Sequence, residues 1–111
     1  MVLYNVTVKI DNKVEEEWLQ WMRQVHIPEV MATGLFLNYR ITRILSLKDT
    51  DGTSYAFQYL CPDMAALHKY QVQYAPALQK SHTERYKDQF VAFRTIMEVV
   101  AEGIGNKNIQ N

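Results

Sequence analysis

Residues 18–44 read WLQWMRQVHIPEVMATGLFLNYRITRI. Within them an apolar helical stripe gives way to a proline, then to a glycine, then to alternation with period two. That order is a helix, a corner, a stop and a strand. Val14, Trp18, Trp21, Met22 and Val25 recur at helical spacing as one apolar stripe, with His26 on its edge. Pro28 disfavours helical geometry at Ile27, so the first helix is predicted to end near His26. A second short turn over residues 28–32 then closes on Gly34 as a left-handed cap. Residues 35–47 alternate and predict a long strand.

Upstream, residues 3–10 alternate as a first strand, with Tyr4, Val6, Val8 and Ile10 opposite Asn5, Thr7 and Lys9. Asn12 and Glu15 have capping-box spacing, and Glu15, Glu16 and Glu17 suit a helix N-terminus. Downstream, the cluster from Asp49 to Gly52 marks a turn, and residues 54–61 form a third strand, making a hairpin with the second. Pro62 and Asp63 open a helix whose stripe is Met64, Leu67, Tyr70 and Tyr74. Pro76 should end it at Ala75, leaving a separate helical piece to about Tyr86. Residues 89–100 alternate again as a last strand. This reads as one domain over residues 1–100 and a flexible tail over residues 101–111.

The order strand, helix, strand, strand, helix, strand predicts an α+β, ferredoxin-like βαββαβ sandwich with an antiparallel sheet and both helices on one face. Tyr4, Val6, Val8, Tyr55, Phe57 and Tyr59, with Val91, Phe93, Met97 and Val99, are assigned to the face beneath the helices. Asn5, Thr7, Lys9, Ala56, Gln58, Ala92, Arg94 and Glu98 are assigned to the other. That second face is too polar for a dry core, because leaving such groups unpaired costs roughly 1–3 kcal/mol each. It is predicted to be covered by a second copy of the chain, giving a dimeric α/β barrel held through Asn5, Thr7, Gln58, Arg94 and Glu98. Small Ala56 and Ala92 leave room there for water or a ligand.

The 111 residues carry twelve basic and twelve acidic side chains, which argues against a partner held by bulk phosphate attraction. The single cysteine, Cys61, fits a reducing compartment and excludes a cysteine-built zinc site. No basic leader precedes an apolar core, and no apolar run approaches the ~18 residues that span a bilayer, so the expected location is the cytoplasm, away from membranes.

Several stretches carry a resemblance: residues 4–8, 18–22, HIPEVMATG at 26–34, 74–78 and FVAFRT at 90–95. Over residues 2 to about 100 the chain resembles a small bacterial domain-of-unknown-function family in the ferredoxin-like, dimeric α/β-barrel group. The wider group implied by that resemblance includes cofactor-independent monooxygenases, dehydratases and ligand-binding regulators, which is analogy at the level of fold.

Among titratable groups His26 is the candidate acid or base at a pocket mouth, against the plainer role of a helix-end histidine bonded to free carbonyls. Arg40, Arg43 and Arg94 could clamp a carboxylate, though pairing with Glu98 is the preferred reading. Trp18 and Trp21 could wall a pocket, yet their helical spacing suits ordinary core. His26, His68 and His82 lack metal-ligand spacing, so neither metal nor cofactor is expected, and Cys61 reads as an inert thiol. RNA-recognition domains share the element order, but Tyr4, Tyr55, Phe57 and Tyr59 belong under the helices, so no nucleic-acid partner is expected. The resulting expectation is a homodimer that binds a small molecule or serves a regulatory or structural role. The alternative is a cofactor-independent monooxygenase-like enzyme, with Trp18, Trp21, His26, Arg40 and Arg94 around a small aromatic or carbonyl substrate.

Overall fold

Alternation near the N-terminus becomes strand β1 (Val2–Asp11) in the computed structural model, which describes residues 1–46 and 49–106. Helix α1 (Glu15–Trp21), a π-helical turn (Met22–His26) and helix α2 (Ile27–Ala32) follow. Then come β2 (Asn38–Arg43), β3 (Gly52–Cys61), α3 (Met64–Gln73), α4 (Ala75–Arg85) and β4 (Phe90–Glu98). The strands lie in the order β2-β3-β1-β4, and every neighbouring pair is antiparallel. This is the ferredoxin-like α+β sandwich. Strand β2 is shorter than residues 35–47, because Phe36 is drawn into the core before the ladder begins. Leu47, at the end of the predicted strand, lies outside the described residues. Among the described residues no helix is long and apolar enough to cross a membrane.

The first helical segment does not break at Pro28. Ile27 and His26 both keep right-handed helical angles, and the N–H of Ile27 bonds to the carbonyl of Met22, five residues back. The widened turn shifts the carbonyls that a proline ring would otherwise strike, so the chain stays helical through Pro28. It also advances the buried stripe by one residue. Trp18, Met22, Ile27 and Val30 are buried, whereas Val25, predicted on the stripe, is 39% exposed. Gly34 then closes α2 at φ 74°, a conformation glycine adopts without strain.

The predicted capping box is absent. Val14 precedes α1 with no side-chain cap, and Asn12 and Glu15 both accept instead from the Thr53 hydroxyl, at 3.0 and 3.1 Å. Those bonds tie the helix start to β3. At α3 the cap is real: Asp63 accepts from the N–H of Ala66 at 2.8 Å. A new helix, α4, begins at Ala75, next to the break expected at Pro76.

Strand β4 corrects the assignment of faces. Residues opposite one another in an antiparallel ladder share a face. Arg94 stands opposite Val6, Ala92 opposite Val8 and Glu98 opposite Val2, which puts all three on the helix side. Val91, Phe93 and Met97 take the open side, 66, 63 and 36% exposed. Arg94 and Glu98 therefore leave the predicted dimer face, while Asn5, Thr7 and Gln58 remain on it. Hydrophobicity alone misled here, because an exposed apolar face reads like a core face. At its centre Asn5 donates to the Thr7 hydroxyl at 2.9 Å, and its own Oδ1 is buried without a partner.

Beneath the helices lie Tyr4, Tyr55, Phe57 and Tyr59, all buried. Trp18 packs edge-on to Phe57 at 5.6 Å and tilted on Tyr55 at 5.4 Å. Cys61 is fully buried, and burial pushes its thiol up, as an inert cysteine requires. After β4, residues 99–106 have no regular structure and expose Val100 and Ile104. Residues 107–111 of the predicted tail lie outside the described residues.

Candidate functional site

A cavity of about 50 Å³ lies between the sheet and the helices, toward the β4 edge. By the usual space requirement it has room for three or four waters. Strands β1, β3 and β4 supply Tyr4, Val6, Val8, Phe57, Tyr59, Phe90, Ala92 and Arg94. The helical layer adds Met22 and His26 from the π turn, Tyr70 from α3, and Leu78, Gln79, His82 and Thr83 from α4. Ala92 does leave room, but on the face opposite to the one predicted. Arg94 and Thr83 are exposed and mark the mouth, whereas His82, Phe57 and Tyr59 are buried and mark the floor.

His26 and His82 meet in this cavity with ring centroids 5.8 Å apart. The π turn brings this about: it places His26 beside Met22 on the cavity wall while the next residue, Ile27, enters the core. Burial, reinforced by the positive charge of Arg94, lowers the His26 pKa from its usual value to about 4. His82 is lowered to about 4 as well, first by burial, then by His26 and Arg94. Its tautomer follows from one bond. The Trp18 indole N–H donates to His82 Nε2 at 2.9 Å, and since indole can only donate, His82 must carry its proton on Nδ1. Burial likewise raises the hydroxyls of Tyr4, Tyr59 and Tyr70, keeping them protonated donors at neutral pH.

The five predicted site residues are divided by the structure. His26 and Arg94 line the cavity together. Trp18 is fully buried behind His82 and acts through the bond just described. Trp21 lies outside the cavity, half-buried, tilted against His26 at 5.5 Å and covered by the Arg85 guanidinium at 5.2 Å. Arg40 stands opposite Gln58 on the open face, so the sheet separates it from the other four. Neither Arg40 nor Arg94 forms an ion pair with Glu98 among the described residues. Arg43 is spoken for, since its Nε donates to the Tyr55 hydroxyl at 3.3 Å, and Tyr55 donates in turn to Glu15. His82 was missed, although Ala75, Leu78, His82 and Tyr86 recur at helical spacing and put that histidine on α4's inward stripe. Among the described residues no group of three His, Cys, Asp or Glu side chains is placed to hold a metal ion.

Residues 1–100 match the family described as Domain of unknown function (DUF4286). The chain belongs to that family. No curated protein matches the sequence. Several solved structures share the DUF4286 chain's fold at low identity. HapK from Hahella chejuensis superimposes with a TM-score of 0.69 at 12% identity, covering 96% of this chain and 99% of HapK. A dimeric ferredoxin-like protein from an uncultured marine organism gives 0.67 at 14%, covering 95% of this chain and all (100%) of that one. SnoaB from Streptomyces nogalater, a cofactor-independent oxygenase solved as a point mutant, gives 0.65 at 10%, covering 91% and 95%. At these identities the likeness concerns fold.

Proposed function

We propose that this DUF4286 member is a cytoplasmic homodimer that binds a small molecule in the cavity between its helices and its sheet. One observation carries the reading: two neutral histidines and an arginine converge on a cavity lined for the most part by aromatic and aliphatic side chains. Polar groups of that kind in an apolar pocket fix a ligand's orientation. The homodimer rests on the open sheet face, where Phe93 and Val91 stand exposed. The buried thiol of Cys61 suits a reducing setting. Native mass spectrometry of the purified protein should find a copurified small molecule at one per chain. His26→Ala should lose it while keeping the parent's melting temperature within a few degrees. A protein that carries nothing, and whose cavity resonances ignore every added ligand, would sink this reading.

A second reading is favoured by His26, since the lone pair of His82 already accepts from Trp18. A neutral histidine can accept a proton from an acidic C–H or O–H, the opening step of oxygenation without a cofactor. The fold shared with SnoaB supports it by analogy. Oxygen uptake on adding the identified ligand, without flavin or metal, would separate enzyme from binder.

A further inference from the structure

We propose that the ligand of this cavity is a small monocarboxylate with a branched or aromatic apolar body, its carboxylate held by Arg94 and the hydroxyls of Tyr4 and Tyr70. This rests on the small-molecule reading above and names the ligand's class. The lining contains one guanidinium, several protonated hydroxyls and no Asp or Glu. Arg94 forms no ion pair among the described residues, and its guanidinium bonds to the Tyr4 hydroxyl. A guanidinium aimed at a cavity with donors around it and no acceptor carboxylate is a counter-charge waiting for an anion.

The strand register divides the cavity lengthwise. Tyr59 and Arg94 stand opposite Tyr4 and Val6, so the donors gather at one end. Ala92 and Phe90 stand opposite Val8 and Ile10 at the other, an apolar end that takes the ligand's body. His82 stands at the Phe90 end, its ring edge-on to Phe90 at 4.4 Å, and His26 lies beside it at 5.8 Å; both are neutral and so make no second claim on the anion. Phosphate is the poorer fit. A dianion is usually met by several cations or by a helix N-terminus with a glycine-rich loop, and this cavity has one arginine. The cavity's size keeps the ligand short, with its carboxylate toward the mouth marked by Arg94 and Thr83.

The test is an NMR titration of the full chain with 3-methylbutanoate, its neutral amide 3-methylbutanamide, and inorganic phosphate. The acid should move the resonances of Tyr4, Ala92 and His26 and bind at least tenfold more tightly than the amide or phosphate. Arg94→Gln, at an exposed position, should keep the melting temperature yet lose that preference, and Arg94→Lys should keep part of it. Amide binding equal to the acid's, or an unchanged preference in Arg94→Gln, overturns the carboxylate assignment and leaves the small-molecule reading standing. Tighter binding of phosphate overturns it in favour of a phosphorylated ligand. If neither acid nor amide binds while a copurified molecule is found, the class is wrong. If nothing binds and nothing copurifies, both readings fall.

Discussion

His82 shows how much one side chain can couple. It is buried on α4, accepts from Trp18 on α1, and stacks edge-on to Phe90 of β4 at 4.4 Å. One imidazole thus ties helix to helix and helix to sheet at the floor of the cavity. Trp18→Phe removes the donor and leaves His82 Nε2 without one, together with a small void, so it should cost about 2–3 kcal/mol in urea unfolding. A loss below half a kcal/mol would show that the bond does not matter. The same burial fixes a pH dependence. His26 and His82 are lowered to about 4, whereas the unfolded chain titrates near its ordinary 6.5. Above pH 6.5 both states hold neutral imidazoles and this contribution to stability is complete. As pH falls from 6.5 toward 4 the unfolded chain takes up protons that the folded one refuses, so stability should drop across that window. Allowing for screening by solvent, the drop is on the order of 1–2 kcal/mol per histidine. His82→Gln should remove about half the slope in urea midpoint against pH. The sequence offered His26 because it stands next to a proline corner. It hid His82 because a histidine on an inward stripe looks like a spacer until its neighbours are known.

Most of the secondary elements were legible because each has its own local signal, a period of two or a stripe with a stop. The π turn was not. An inserted residue leaves both flanking stripes intact and only shifts their phase, and proline at position 28 argued for a break instead. Yet this turn sets the site, since it puts His26 on the cavity wall and Ile27 in the core. Deleting exposed Gln24 should restore regular helix geometry there, with the helix content of the circular dichroism spectrum kept. Pro28 would then meet an ordinary turn, lowering the melting temperature by about 5–10 °C, the size expected for ~1–2 kcal/mol. Ligand affinity should fall by about tenfold as His26 is re-aimed. Unchanged affinity in the folded deletion would mean that the π turn does not position the site. Strand β4 teaches the complementary lesson. Alternation told which residues share a face, but not which face looks inward, because Phe93 and Val91 are as apolar as any core pair. Only the register of Arg94 against Val6 decides it.

At the scale of the whole molecule the sheet separates two tasks. One side carries the cavity; the other presents Leu3, Val91, Phe93 and Met97 around Asn5, whose Oδ1 is buried without a donor. An exposed apolar strip on an otherwise charge-balanced chain wants cover. A second copy supplies it. An ordinary interface of about 1,600 Å² would suffice. Phe93, 63% exposed, is the large ring on this face, and its removal tests the assembly. Phe93→Glu sets a charge into the would-be interface and should weaken dimerisation on the order of a hundredfold, about 2.7 kcal/mol. In sedimentation at micromolar concentration the parent should run as a dimer and the variant as a monomer. Val72→Glu is the control: Val72 is equally exposed, at 63%, but stands on α3, away from the sheet, and should leave the dimer intact. Because the cavity lies across the sheet from Phe93, the monomeric variant should still bind its ligand within a few-fold. A monomeric parent, or a Phe93→Glu variant that remains dimeric, would mean that something other than a twin chain covers this face.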